Sequence, residues 1–303
     1  MTGELYDIRD PRFAKLIHGN ANMETLWEGG RWCEGPAYFA AGKYLIWSDI
    51  PNDRTMRWDE QNGAVSVFEN PCRNQNGHTV DLQGRMVSCE HRGRQVSRVE
   101  HDGSLTILAS HFEDNRFNSP NDVVVKSDGS VWFTDPSYGI DSEYEGDASP
   151  SEIGACNVYR IAPDGDITMV IEDMVQPNGL GFSPDESLLY VADTGMTHDP
   201  DCTPRIRAYP LSDDGASVGE GENLMTCDNG LYDGFRVDTN GNIWSSAGDG
   251  VHCYAPDGTL LGKILIDEVV ANLVFGGIKK NRLFICATTT IRSIYVNATG
   301  SAR

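Results

Sequence analysis

Hydrophobic and polar positions along the chain follow a pattern that repeats six times. Each copy opens with a polar residue and continues with a short apolar strand, a turn and a second apolar strand. In the first copy the turn contains Gly42 and the second strand ends at Asp49. The copies begin, about 40 to 57 residues apart, at Glu34, His78, Asn121, Asn178, Asp233 and Asn272. Short strands repeated at this period are typical of β-propeller blades.

Two more strands follow in each copy, and several are joined by Asp-Gly pairs such as Asp102-Gly103 and Asp257-Gly258. Asp-Gly between alternating segments favours a tight hairpin, because both central turn residues need a positive φ. The sequence therefore predicts an all-β fold, a six-bladed β-propeller with four-stranded blades, as one domain over residues 1–303. The last copy is short, so we expect residues 22–28 to close it by pairing with 272–296. A loose N-terminal arm is the alternative.

Oxygen-bearing side chains open four of the copies. In a closed propeller the first strand of every blade lines the central channel, so the opening residues form a ring. Glu34, Asn121, Asn178 and Asp233 would then converge on one axis. Carboxylate and amide oxygens suit a hard divalent cation. Such an ion can polarise an ester carbonyl and lower the pKa of a water molecule.

Each of these residues also has a simpler interpretation. Asn and Asp commonly open turns through side-chain bonds to the backbone, and Glu34 alone could be a charge at the channel rim. The recurrence at matched positions favours the metal site. Asp233 is the candidate general base within it.

The candidate substrate-binding residues lie at the ring or just ahead of it. They are Asn121, Arg116, Asn118 and His78. His91, which ends the second strand of copy two, could also bind substrate or carry protons, although a lone histidine in a loop is more often structural. The aspartates that end second strands (Asp49, Asp135 and Asp193) recur too regularly to be catalytic as a class, and we expect turn capping, with Asp193, next to the loop from 194, as the candidate exception.

Two long polar loops interrupt the repeat, at residues 138–156 and 194–204. Both follow the second strand of a blade, and that connection returns to the face where the first strands begin. Long loops on rigid scaffolds often carry function. The two loops are therefore expected to overhang the ring, with solvated insertions as the alternative.

Composition narrows the classes of partner. The 303-residue chain has a formal net charge of −21, which argues against binding to nucleic acid or to an anionic membrane surface. The eight cysteines are scattered without a Cys-x-x-Cys pair, and the first ten residues lack a basic and apolar leader. We expect a cytoplasmic protein. The sequence contains no Gly-x-Ser-x-Gly elbow and no P-loop.

Several motifs together resemble a known family. These are Glu34-Gly-Pro, Asn118-Ser-Pro-Asn-Asp122, Pro177-Asn-Gly-Leu-Gly-Phe and Tyr232-Asp-Gly. Over about residues 25 to 296 the chain resembles the gluconolactonase branch of the SMP-30/gluconolactonase/LRE-like superfamily. The resemblance implies a six-bladed propeller with a divalent metal in its tunnel. It implies ligands at Glu34, Asn178 and Asp233, with Asn121 at the metal or its water, and hydrolysis of sugar lactones to aldonic acids.

The chain departs from that family in two places. The spacing of Arg116 to Asn121 differs from that of the family's substrate-contacting arginine. His78 stands where the lactonases often have an apolar residue, and it is reminiscent of the calcium-using paraoxonases. The predicted activity is therefore a metal-dependent sugar lactonase acting on a small-molecule lactone. The alternatives are hydrolysis of a non-sugar lactone or phosphotriester on the same site, and a non-catalytic binding propeller. Calcium is the favoured ion, with zinc, magnesium and manganese left open.

Overall fold

Six antiparallel sheets surround a central axis in the computed structural model, which describes residues 5–301. The inner strand of each sheet contacts the inner strand of the next, and the sixth contacts the first. The ring is therefore closed, and the predicted six-bladed propeller is confirmed. The inner strands of blades 1 to 6 are Cys33–Phe39, Gln75–Val80, Val123–Val125, Pro177–Phe182, Phe235–Val237 and Val270–Gly276.

Each blade continues outward through three more strands. The second strands are Tyr44–Asp49, Met86–Glu90, Val131–Asp135, Leu188–Asp193, Ile243–Ala247 and Arg282–Ala287. The third strands are Arg54–Asp59, Gln95–Val99, Asn157–Ile161, Arg205–Pro210, Gly250–Tyr254 and Thr290–Tyr295. The outer strands are Val65–Glu69, Leu105–Ala109, Ile167–Ile171, Glu222–Thr226, Leu260–Leu265 and, from the N-terminus, Glu24–Glu28. An acidic turn at 212–215 precedes the outer strand of blade 4.

The N-terminal segment closes the ring. Glu24–Glu28 pairs antiparallel with Thr290–Tyr295, which confirms the strand predicted at residues 22–28. Arg282 reinforces this closure by donating a hydrogen bond to Glu24. A further strand, Tyr6–Ile8, pairs with Leu260–Leu265 and makes blade 5 five-stranded. Its three residues are too few to show a period, so the sequence pattern did not predict it.

The hydrophobic core lies between neighbouring blades. Trp132 of blade 3 meets Phe182 of blade 4 edge to face, and Trp244 of blade 5 meets Phe275 of blade 6 in the same way. A buried aromatic side chain removes about 200 Å² from water, which contributes roughly 5 kcal/mol of gross stabilisation. Since both faces of a blade are covered, a second strand such as Val131–Asp135 is buried at every position.

Helical structure is confined to short connections. The loop after the second strand of blade 3 contains the α-helix Tyr138–Asp141, and three 3-10 helices cover Phe13–Lys15, Ile50–Asn52 and Gly195–Thr197. A two-stranded hairpin pairs His111–Phe112 with Asn115–Arg116. Within residues 5–301, none of the helices has the length and apolar character needed to cross a bilayer.

Candidate active site

A cavity of about 270 Å³ lies on the axis where the inner strands begin. Five blades contribute one polar residue each from the start of an inner strand or just before it. These residues are Glu34, Asn76, Asn121, Asn178 and Asp233. We call them the ring residues. The structure thus brings together all four side chains that the sequence predicts as metal ligands.

Glycine follows the ring residue in four blades because the inner strands converge there. A Cβ atom added to Gly179 would overlap the backbone of Asp233, and one added to Gly77 would overlap that of Asn121. The same glycines join the blades, since Gly77 N donates to Asn121 O at 2.8 Å and Gly179 N donates to Asp233 O at 3.2 Å. The repeated Asn-Gly and Asp-Gly pairs therefore reflect how closely the blades approach one another.

The ring residue of blade 2 is Asn76, two positions before the predicted His78. A bulge interrupts the pairing between Gln75 and His78, as it does in blade 1 between Glu34 and Ala37. Asn76 precedes Gly77 just as Glu34 precedes Gly35. The Asn76-Gly77 pair is therefore the sequence signal that identifies Asn76, and not His78, as the ring residue of blade 2.

His78 lies deeper along the axis and is fully buried. Its Nε2 is 2.9 Å from Ser48 Oγ and its Nδ1 is 2.8 Å from Ser88 Oγ. Burial lowers the pKa of His78 to about 3, so its imidazole group is neutral. His78 lines a separate cavity of about 120 Å³, together with Arg236.

Negative charge is concentrated at the main cavity. Burial, followed by the charges of Asp233 and Asp122, raises the pKa of Glu34 well above its usual value. Burial, followed by the charges of Asp122 and Glu145, raises the pKa of Asp233 to about 8, against the lowering effect of a hydrogen bond from Asn178. A positive charge placed among these groups would favour their ionised forms.

Asp122 lies beside the ring and has no counterpart in the sequence-based predictions. It occupies the position that is glycine in four other blades, and its side chain is buried. Its Oδ1 accepts a hydrogen bond from Val123 N at 2.9 Å, whereas its Oδ2 has no hydrogen-bond partner among the described residues. The Arg236 guanidinium is 3.8 Å from that second oxygen. The lack of glycine after Asn121 is the signal that could have identified it.

The cavity meets the chemical requirements of a divalent cation. Its lining carries two carboxylates and three amides, which are the oxygen donors that hard cations prefer. The buried Oδ1 of Asn76 has no hydrogen-bond partner in residues 5–301. In the same part of the chain, no group of three or more His, Cys, Asp or Glu side chains could hold a metal ion. The donor set of the ring instead combines carboxylate and amide oxygens.

Both long loops reach the cavity. Tyr138 and Glu145 come from the loop at 138–156, and Thr194 and Thr197 come from the loop at 194–204. Tyr138 Oη is 2.7 Å from Thr194 Oγ1 and 2.9 Å from Thr197 Oγ1, which ties the two loops together. The loops therefore cover the ring, as expected from their positions after second strands.

Three of the four predicted substrate-binding residues lie outside the cavity lining: His78, which lines the separate cavity, Arg116 and Asn118. Arg116 is on the short outer hairpin, where its guanidinium donates to Gly93 O at 3.2 Å. Asn118 is fully buried, and its side chain holds the loop by donating to Ala155 O at 2.8 Å and accepting from Ser151. Of the four predicted substrate-binding residues, only Asn121 faces the cavity.

The aspartates that end second strands bind backbone amides. Asp49 accepts from Arg31 N at 2.9 Å, and Asp135 accepts from Asn118 N at 2.8 Å. Asp193 accepts from Gln176 N at 3.0 Å. These contacts confirm the turn-capping interpretation. They also explain the recurrence of aspartate, since each one fixes the segment that precedes the inner strand of its own blade.

Residues 32–289 match the family described as the SMP-30/Gluconolactonase/LRE-like region. The chain belongs to this family.

Named relatives agree with that membership. The chain is 29% identical over 304 residues to a gluconolactonase of Zymomonas mobilis, covering 93% of this chain and 83% of the relative. It is 29% identical to the pentonolactonase XacC of Haloferax volcanii, covering 83% and 80%. Among solved structures, a gluconolactonase of Xanthomonas campestris superposes with a TM-score of 0.89 at 34% identity, covering 97% of this chain and 95% of that one.

Within this SMP-30/gluconolactonase chain, sequence reasoning missed several residues near or in the cavity besides the two threonines of the loop at 194–204, and five of them carry chemistry or support the ring. They are Asn76, Asp122, Tyr138, Glu145 and Asn272. Asn76 and Asp122 could have been found from the glycine register. The repeat predicts Asn272 as the start of copy six, but this residue lies level with the glycines and donates to Glu34 Oε2 at 2.9 Å. Tyr138 and Glu145 lie in a loop that has no periodicity from which to assign them.

Proposed function

We propose that this protein is a metal-dependent lactonase that hydrolyses sugar lactones to the corresponding aldonic acids. The observation that carries the proposal is the convergence of Glu34, Asn121, Asn178 and Asp233 on one cavity beneath two covering loops. Membership of the SMP-30/gluconolactonase family and the names of the relatives, gluconolactonase and pentonolactonase, support the substrate class.

One divalent cation is proposed as the cofactor, with Glu34, Asn178 and Asp233 as its ligands and Asn121 at the ion or its water. When bound, such an ion polarises the lactone carbonyl and acidifies water. Calcium is favoured, because carboxylate and amide oxygens are its usual ligands in proteins. Magnesium, manganese and zinc are the other candidate ions, and the assay below compares them with calcium.

The chain's own residues would perform the remaining chemistry. We assign the Asp233 carboxylate as the general base that accepts the proton of the attacking water. The ring amides of Asn121 and Asn178 offer oxygens to the ion and N–H groups to substrate hydroxyls. Tyr138 and the threonines on the facing loop close the cavity over the substrate and limit the entry of bulk water.

The size and lining of the cavity fit a single sugar ring. Its volume of about 270 Å³ is near the lower end of ligand pockets, which is roughly 300 Å³. Its lining combines the polar ring residues with apolar groups such as Leu231 and Val270. A polyhydroxylated lactone would bind its hydroxyls on the polar side and place its carbons against the apolar side.

A lactonase assay tests the proposal directly. Aldonolactones, an aliphatic lactone and a phosphotriester are each offered to the wild-type enzyme, to the EDTA-treated enzyme, and to that enzyme with Ca²⁺, Mg²⁺, Mn²⁺ or Zn²⁺ restored. We expect turnover of aldonolactones that EDTA abolishes and one cation restores. Asp233→Asn should lose about a thousandfold in turnover at saturating cation. Turnover of only the aliphatic lactone or the phosphotriester would contradict the sugar specificity, and undiminished activity in EDTA would contradict the metal dependence.

A further inference from the structure

Glu145 is an acidic side chain that the covering loop carries into the cavity. It lies in the segment 138–156 and lines the same cavity as the ring residues. Its side chain is 24% exposed. The ring supplies the cation ligands and the base, whereas Glu145 stands apart from them on a separate element.

His91 lies directly behind Glu145 and is fully buried. Asn76 Nδ2 is 3.1 Å from His91 Nε2 and can only donate to it, so the neutral imidazole carries its proton on Nδ1. That Nδ1 faces Glu145: the backbone carbonyl of Glu145 lies close enough to favour the protonated imidazole, and its Oε2 atom is 3.8 Å away, although neither completes a hydrogen bond of good geometry. A movement of about 1 Å by the loop would bring the carboxyl group within hydrogen-bond distance of Nδ1.

The loop is built around this histidine. Gly139, in the helix Tyr138–Asp141, packs so closely on His91 that an added Cβ atom would overlap the imidazole. Asn76 is itself a ring residue. A continuous chain of contacts therefore runs from the ring through Asn76 and His91 to Glu145.

The surroundings of Glu145 favour its protonated form. Burial, followed by the charge of Asp141 on the same loop, raises the pKa of Glu145 to about 7. The other titratable groups near it are His91, which burial keeps neutral, Tyr138 of the same loop, and Asp233 in the cavity lining. A carboxyl group with a pKa near neutrality can give up a proton at the pH of the reaction.

Opening a sugar lactone requires an acid as well as a base. When the carbonyl carbon is attacked by water, the bond from that carbon to the ring oxygen must break, and the oxygen leaves as an alkoxide unless it is protonated. Among the other residues of the cavity lining, Tyr138 is a poor acid, because burial raises its pKa above the usual value and its hydroxyl is engaged by two threonines. The ring carboxylates are assigned to the cation and to the base.

We propose that Glu145 is the catalytic acid of the lactonase reaction and that His91 is its positioning residue, an inference that rests on the proposed function. Water transfers one proton to Asp233 and forms the new C–O bond to the carbonyl carbon. The bond from that carbon to the ring oxygen breaks, its electron pair stays with the ring oxygen, and Glu145 protonates that oxygen. The product is the hydroxy acid. Release of the proton from Asp233 to solvent and uptake of a proton by Glu145 restore both groups.

The dependence on the leaving group tests this role. The leaving group of glucono-1,5-lactone is an alkoxide, which needs an acid to protonate it. The leaving group of dihydrocoumarin is a phenoxide whose conjugate acid has a pKa of about 10, so it needs little assistance. For Glu145→Gln we expect kcat on gluconolactone to fall about a hundredfold and kcat on dihydrocoumarin to fall less than about threefold. Glu143→Gln is the matched control, because Glu143 lies exposed on the same loop and is not among the cavity-lining residues. It should behave as wild type toward both lactones.

His91 is tested by the same comparison. His91→Leu should reduce kcat on gluconolactone selectively, and His91→Asn, which keeps a donor close to the position of Nδ1, should recover part of the loss. If the wild-type enzyme does not accept dihydrocoumarin, chemical rescue of Glu145→Ala tests the acid role instead. The turnover of gluconolactone by this variant should rise at least about threefold with added imidazolium, which supplies the missing proton.

The outcomes separate this inference from the function on which it rests. Equal losses on both lactones, no loss on either, or no rescue of Glu145→Ala would overturn the acid role while leaving a working lactonase. Absence of wild-type turnover of any aldonolactone would remove the proposed function and this inference with it. Thermal unfolding of each variant confirms that the losses are measured on folded protein.

Discussion

Asn272 Nδ2 donates a hydrogen bond of 2.9 Å to Glu34 Oε2, joining residues that are 238 positions apart in the chain. The bond links the sixth blade to the first at the level of the cavity. The backbone N–H of Gly35 donates to the same carboxylate oxygen. Glu34 itself lines the cavity.

Removing this support should weaken cation binding. In Asn272→Ala, Glu34 loses the donor that orients its carboxylate, and partners of this kind commonly change metal affinity 10- to 100-fold. We expect calcium affinity, measured by isothermal titration calorimetry, to fall about tenfold. Asn240→Ala, on an exposed turn, is the control and should bind as wild type does. Equal affinities for wild type and Asn272→Ala would mean that Glu34 needs no such support.

Asp122 should contribute to cation affinity through its charge. The side chain is buried, and its charge raises the pKa of both Glu34 and Asp233. Asp122→Asn removes that charge with little change of shape, and we expect calcium to bind about tenfold more weakly, or about 1.4 kcal/mol. Asp164→Asn, on an exposed hairpin turn, changes the net charge equally and should have no effect. Equal effects of the two substitutions would indicate a long-range field of the whole acidic protein.

Gly179 should tolerate no side chain. Its added Cβ would overlap the backbone of Asp233 on the next blade, so the two inner strands would have to separate. We expect Gly179→Ala to lower the free energy of unfolding by about 2 to 4 kcal/mol, measured in urea. Gly19→Ala is the control, because nothing lies within 4 Å of its added Cβ and its backbone is in an ordinary conformation. Wild-type stability of Gly179→Ala would contradict the close approach of the blades.

His78 should make the protein sensitive to acid. Its pKa is about 3 in the folded protein, against 6.5 as the usual value, so the unfolded chain binds this proton first as the pH falls. The contribution of neutral His78 to the free energy of unfolding is fully present above pH 6.5 and is lost progressively toward pH 3. At pH 5 the loss attributable to His78 is about 2 kcal/mol.

The variant His78→Gln isolates that contribution. Its free energy of unfolding should depend less on pH between 7 and 5 than that of the wild type. His101→Gln, which replaces an exposed histidine, should keep the wild-type slope. The same slope in His78→Gln and wild type would show that His78 is protonated in the folded state at pH 5.

Most of the fold could be predicted from the sequence, because the strands and turns of each blade are encoded by residues close together in the chain. Each strand is short, and the hairpin turns carry Asp-Gly pairs, so the repeat marks the blades without knowledge of the contacts. The three-residue strand Tyr6–Ile8 was not predicted, because it is defined by the edge of blade 5 to which it adds. Its own residues show no alternation.

The candidate site was predicted only in part, for a different reason. The oxygen donors of four blades recur at one position of the repeat, which made Glu34, Asn121, Asn178 and Asp233 visible. Blade 2 has the same bulge as blade 1, and its ring residue is marked by the Asn76-Gly77 pair and not by strand periodicity, so the apolar pattern alone indicates His78 in place of Asn76. Glu145 is brought to the cavity by an irregular loop, and only the folded structure shows where that loop lies.

The most direct test of the account is a crystal structure of the protein grown with Mn²⁺ or Ca²⁺, with the ion located by anomalous scattering. The account predicts one ion in the cavity, with oxygens of Glu34, Asn178 and Asp233 at about 2.0 to 2.6 Å from it and Asn121 at the ion or its water. An ion bound elsewhere, or a cavity without an ion at saturating concentration, would contradict the proposed metal site.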